Sequence, residues 1–133
     1  MRAFLPLISF ALLFCWSAFA QEQKIEEVIS AQIEAFKKND VDTAFSFASP
    51  RIQQLFGTSE NFGRMVQNGY PMVWKPSGLA FLRQKIEGNL VYQEMRFIDQ
   101  FGIEHSLVYE MLQVSGNWKI NGVFKLRSND VGA

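Results

Sequence analysis

The chain predicts an α+β domain, with helices first and an antiparallel sheet behind them. Apolar residues recur at three- and four-residue spacing as far as Gly69, and from Leu79 onward they alternate with polar ones. The turn signals of the second half, Gly88-Asn89, Gln100-Phe101-Gly102 and Ser115-Gly116-Asn117, are so short that the strands they join must be antiparallel neighbours in a meander.

Ahead of the domain, Arg2, an apolar stretch from Ala3 to Phe14 and the small-residue ending Ala18-Phe19-Ala20 read as a secretory signal peptide over residues 1–20, cleaved before Gln21. A spanning helix needs about 20 apolar residues, and this run is shorter and interrupted by Pro6, Ser9 and Ser17. Phe14, just before Cys15, does not fit a lipoprotein site, which wants small residues there. Export to the periplasm, or secretion, is therefore expected, with membrane contact only during export. The only cysteine leaves with the leader, so the mature chain relies on packing and not on disulfides.

The 13 basic and 13 acidic residues include Arg2, so the mature chain is slightly negative and has no basic cluster. Nucleic acid and anionic lipid, which call for clustered Lys and Arg, are not expected partners. A remainder of about 110 residues is the size of one domain with its own core. Residues 21–126 are expected to form it, and 127–133 a polar, frayed tail.

Ile25, Val28, Ile29, Ile33 and Phe36 share one helix face over 21–39, with Glu22, Glu26 and Glu27 early, Lys37 and Lys38 late, and Asn39 as a left-handed stop. Asp40 caps a short second helix to about Ala48. Ser49-Pro50 starts a third, over 50–56, ended by Gly57. Thr58 caps a fourth, with Phe62, Met65 and Val66 on one face and Gly69 at its close. Pro71 and Pro76 bracket Met72 to Lys75, which is expected to be an edge strand or an extended connector. Four strands are predicted over 79–87, 90–99, 103–114 and 118–126.

Turn geometry sets the register. A two-residue loop at Gly88-Asn89 pairs Ile86 with Val91, Gln84 with Gln93, Leu82 with Met95 and Ala80 with Phe97. A three-residue loop with Gly102 left-handed pairs Phe97 with His105, Met95 with Leu107, Gln93 with Tyr109 and Val91 with Met111. Trp118 and Ile120 join this inner wall, which runs through Leu82, Met95 and Leu107, and Gly122 marks a bulge. The outer face sets Arg83 against Glu94 and Lys85 over Tyr92, and carries Leu79, Phe81, Tyr92, Ile98, Val108 and Leu112. That is more apolar area than a solvated face needs, so a homodimer through it is expected.

The meander ending in Gly116-Asn117-Trp118-Lys119-Ile120-Asn121-Gly122-Val123 resembles the SnoaL-like, nuclear transport factor 2-like superfamily of cone-shaped (cystatin-like) α+β domains. Phe47-Ala48-Ser49-Pro50, Leu55-Phe56-Gly57-Thr58, Glu60-Asn61-Phe62 and Gly69-Tyr70-Pro71-Met72-Val73-Trp74-Lys75-Pro76 resemble domain-of-unknown-function family 4864, small exported bacterial proteins. The resemblance spans nearly all of the mature chain. It implies helices laid across a twisted sheet as a cup, and it implies no particular activity, because the superfamily mixes enzymes with binding modules.

No metal or cofactor is expected. His105 is the only histidine, the mature chain has no cysteine, and there is no Asp-rich calcium loop, phosphate-cradling glycine loop or serine elbow. The most enzyme-like arrangement is Asp99 with His105, an acid orienting an imidazole base near the rim of the cup. Both also have a structural reading, Asp99 as the acceptor of a tight turn and His105 as a half-buried strand residue. For ligand binding, Gln84, Gln93 and Tyr109 form a polar trio on an apolar wall, and Tyr70 and Trp74 stand at the mouth. Their structural reading is mutual hydrogen bonding and core filling.

The expected role is thus an exported, non-catalytic domain binding a small apolar or amphipathic ligand, or a partner protein of the envelope. The alternatives are a cofactor-independent isomerase, hydrolase or dehydratase using Asp99 and His105 with Tyr109 as hydrogen-bond donor, and a purely structural dimeric module.

Overall fold

A computed structural model describes residues 9–127, with side chains from residue 17. The start of the expected leader, 1–8, and most of the expected tail, 128–133, lie outside the described residues. Among the described residues five helices precede four strands: α1 (Ser9–Lys37), α2 (Val41–Ser46), α3 (Pro50–Phe56), α4 (Ser59–Gly69), α5 (Pro71–Trp74), then β1 (Gly78–Glu87), β2 (Leu90–Ile98), β3 (Glu104–Val114) and β4 (Asn117–Lys125). The sheet is an antiparallel meander in the order β1-β2-β3-β4, with the helices packed on its inner face.

The helix boundaries follow local chemistry. Asn39 takes the left-handed conformation, φ 57°, that ends α1. Asp40, Ser49 and Thr58 cap α2, α3 and α4, each accepting the backbone N–H three residues on. α1 is longer than expected, since it runs unbroken from Ser9 through Ala20 and Gln21.

The stretch expected to be extended is instead the helical turn α5. Pro71 fits a first helical position, where its missing N–H and fixed φ cost nothing. The Tyr70 carbonyl accepts from Val73 N and Trp74 N at 2.9 and 3.0 Å, and Pro76 falls just beyond the end. Prolines bracket one helical turn as readily as they bracket a strand.

In the sheet, β2 and β3 pair as predicted along their whole length, Phe97 with His105 through Val91 with Met111. Gly102, φ 81°, supplies the left-handed turn residue that sets this register. In β1 the predicted pairing holds from Glu87 back to Gln84, and then Leu82 and Arg83 together oppose Glu94 in a bulge. Beyond it Phe81, not Leu82, faces Met95, and Leu79, not Ala80, faces Phe97. Phe81 accordingly packs against the core while Leu82 is 40% exposed. Leu79 and Phe81 thus lie on the inner side and not on the expected dimer face. Ile86 pairs with Val91 as predicted, yet it is 66% exposed because the helical layer does not reach that end of β1.

The second bulge adds Asn121 between Ile120, opposite Met111, and Gly122, opposite Glu110. It lies one residue before the expected position and returns Val123 to the inner side, opposite Tyr109. The outer face holds the Arg83–Glu94 pair at 2.7 Å, but Lys85 pairs with Glu87 at 2.8 Å and not with the Tyr92 ring.

The core joins Ile25, Ile29, Ile33 and Phe36 of α1 to Met95, Phe97, Leu107 and Met111 of the sheet. Phe62 sits at the centre of the roof, within 6 Å of the rings of Phe36, Phe45 and Phe56. Buried Gly63 lets α4 approach α2. A Cβ placed there would lie 2.6 Å from Val41 Cγ1, on a stiff β-branched side chain. Gly63→Ala is expected to destabilise the domain by about 1–3 kcal/mol, read as a lower urea midpoint with an unchanged slope.

Candidate functional site

A cavity of about 250 Å³ opens between the helical layer and the β3–β4 half of the sheet. Its walls are mainly apolar, Phe36 and Phe62 from α1 and α4 and Ile120 and Val123 from β4. α3 forms one side of the mouth, because the Phe47–Ser49 segment before it pairs with the free edge of β4. Ile120 N donates to the Phe47 carbonyl at 2.9 Å and Ser49 N to the Ile120 carbonyl at 2.8 Å.

The polar feature of the interior is Tyr109 on β3. Its side chain is fully buried, its ring stacks on Phe97 with centroids 6.3 Å apart, the residue borders the cavity, and its hydroxyl has no hydrogen-bond partner among the described residues. Burial, with a smaller contribution from nearby Tyr70, pushes the phenol's pKa well up, so the group stays protonated and available as a donor. A buried hydroxyl left unpaired costs about 1–3 kcal/mol.

Gln32 also lines the cavity from the apolar stripe of α1. Its Nε2 donates to the Ala44 carbonyl at 3.1 Å, and its Oε1 accepts no hydrogen bond among the described residues. Tyr70 lines the cavity as expected, but its hydroxyl donates to the Val123 carbonyl at 3.1 Å and its ring carries Lys125 Nζ at 4.8 Å. Arg51 on α3 completes the lining with a charge.

The other residues nominated from the sequence stand elsewhere. Gln84 donates to Gln93 at 2.7 Å, and the Gln93 amide donates to the carbonyls of Leu82 and Glu94 at 3.2 and 2.9 Å. The pair is satisfied within the sheet and is absent from the cavity lining. Trp74 packs tilted against Phe36, ring centroids 5.4 Å apart, and is absent from it too. Asp99 and His105 are in contact, Oδ2 to Nε2 at 2.8 Å, at the β2–β3 turn. Asp99 Oδ1 also accepts from Phe101 N at 2.8 Å and Ile103 N at 3.0 Å, which makes it the acceptor that closes that turn. Neither residue lines the cavity that holds Tyr109, so the acid, the imidazole and the phenol do not converge on one volume.

The family profile described as Domain of unknown function (DUF4864) matches residues 18–133. The chain belongs to that family. No curated protein matches this DUF4864 domain. A solved NTF-2-like protein of unknown function from Burkholderia xenovorans LB400 is similar to it, with 21% identity, 80% of this chain and 90% of that one covered, and a TM-score of 0.44. The architecture rests on the domain's own geometry, helices on a four-stranded antiparallel meander, which is the α+β arrangement that the sequence predicts.

Sequence reasoning missed Gln32 and Arg51. Gln32 had a signal, because it interrupts the run Ile25, Ile29, Ile33, Phe36 on the buried stripe of a DUF4864 α1 where only apolar residues are otherwise expected. Arg51 had none, since an arginine in the first turn of a short helix reads as a solvated charge.

The Asp99 contacts give the domain an acid sensitivity. The hydrogen bond from His105, then those from Ile103 N and Phe101 N, hold the Asp99 carboxyl below its ordinary value of 3.8. A depressed folded pKa contributes stability that is present above 3.8 and is lost as pH falls toward the lowered value. Urea unfolding followed below pH 4 should therefore show a shallower acid loss for Asp99→Asn than for the natural protein, together with a lower stability near neutrality.

Proposed function

We propose that this DUF4864 domain is an exported, non-catalytic binding domain that takes one small, mainly apolar molecule into the cavity between its helices and its sheet. Tyr109 carries the reading. A protonated hydroxyl with no partner among the described residues, on a residue that borders an apolar cavity, can serve a ligand oxygen or nitrogen, and Gln32 Oε1 in the same wall supplies an acceptor. A core without a binding role would be more stable with phenylalanine at this position. Among the described residues no acid–base pair faces the cavity, which favours binding over the isomerase, hydrolase or dehydratase reading.

Export to the periplasm is part of the proposal. Ser17 to Ala20 are exposed and the first fully buried side chain among the described ones of α1 is Ile25, so cleavage before Gln21 takes nothing from the described core. Among the described residues no helix is long and apolar enough to cross a membrane.

Protein recovered from the envelope fraction is expected to have an intact mass that begins at Gln21, and a mass that retains the leader would overturn the export reading. Denaturing this protein before mass spectrometry is expected to release a small molecule. Tyr109→Phe should stabilise the unliganded domain by about 1 kcal/mol and reduce occupancy by about tenfold. Protein that releases nothing, or a variant with unreduced occupancy, would refute the binding role.

A further inference from the structure

We propose that the ligand is an anionic amphipath, a medium-chain carboxylic acid whose tail fills the cavity and whose carboxylate rests at the mouth against Arg51. This assignment rests on the binding function proposed above. Among the described residues Arg51 is the only charged side chain lining the cavity. Its Nη2 donates to the Asn121 carbonyl at 2.7 Å and its Nε to Asn121 Oδ1 at 3.4 Å, so the bulge residue of β4 holds the guanidinium in place. Among the described residues no carboxylate lies within 4.0 Å of it. The nearby acid, Glu110, is occupied by Asn121 Nδ2 at 2.6 Å and by the Tyr92 hydroxyl at 3.1 Å. A tethered, unneutralised guanidinium with donors to spare is the group best shaped to take a carboxylate.

The rim beside it is greasy. Leu55 and Phe124, both cavity-lining, are 68% and 49% exposed. Gly122 makes room for the arrangement, because a Cβ there would lie 3.1 Å from the Phe124 ring and 4.0 Å from Arg51 Nη2. Exposed apolar side chains flanking a free cation match a molecule with one charged end and one apolar end.

Polarity fixes the direction of entry. The interior around Tyr109 holds no cation to compensate a carboxylate stripped of water, so the charge stays at the mouth and the tail goes in. A volume of 250 Å³ has room for about eight water-sized groups, which suits a chain of roughly that many carbons.

Calorimetric titration of the mature protein with octanoate, octan-1-ol and octylamine tests the inference. At low salt octanoate should bind about fivefold more tightly than octan-1-ol, and octylamine more weakly than either. The preference should shrink as salt is raised, because the mouth is open to solvent, and Arg51→Gln should bring the octanoate-to-octanol ratio close to one. Equal binding of octanoate and octan-1-ol, or tightest binding of octylamine, overturns the anionic assignment and leaves the cavity reading standing. A preference that survives Arg51→Gln removes Arg51 as its source and overturns the assignment. Failure of all three probes to bind overturns both readings.

Discussion

The helical layer is fastened to the sheet along one seam, the free edge of β4, and the site depends on it. Two backbone hydrogen bonds join Ile120 to Phe47 and Ser49. The buried Ser49 hydroxyl then donates to Asn121 Oδ1 at 2.7 Å, while Asn121 Nδ2 donates to Glu110 at 2.6 Å. Ser49 therefore serves twice, capping α3 and tying it to the sheet. The bulge that presents Asn121 also restores Val123 to the inner side, so one extra residue both docks the helices and shapes the cavity wall.

Two buried polar residues stand opposite each other across β2 and β3 and meet different fates. Gln93 has every amide demand met inside the sheet, with Gln84 donating to its oxygen and two carbonyls accepting from its nitrogen. Its cross-strand partner Tyr109 has none met. The contrast separates a polar group that fixes a register from one that stays available. Sequence alone places both on one wall, and only the reach of neighbouring carbonyls tells them apart.

Much of the fold is legible because its signals are local. Asp40, Ser49 and Thr58 announce their helices through short polar side chains, and the glycine turns set most of the register. What escapes is decided at longer range. The bulge at Leu82 and Arg83 has no glycine to mark it, so Leu79 and Phe81 change sides unannounced. α5 was hidden because prolines bound helices and strands alike. Tyr109 borders the cavity from the face that the alternation implied, and Tyr70 from between α4 and α5, whereas Gln84, Gln93 and Trp74 spend their contacts on their neighbours. Arg51 enters the site through a docking event between segments 70 residues apart, which no pattern of spacing encodes.

The two borders of the sheet differ in kind. β4 is covered by the Phe47–Ser49 segment, whereas β1 keeps an open border, since no strand lies beyond it among the described residues. That border is a poor template for a strand from another chain, because an irregular backbone at Leu82 and Arg83 breaks the even row of donors and acceptors, and Arg83 and Lys85 set cations along it. The bulge that reverses the sides of β1 therefore also guards the molecule against edge-to-edge aggregation.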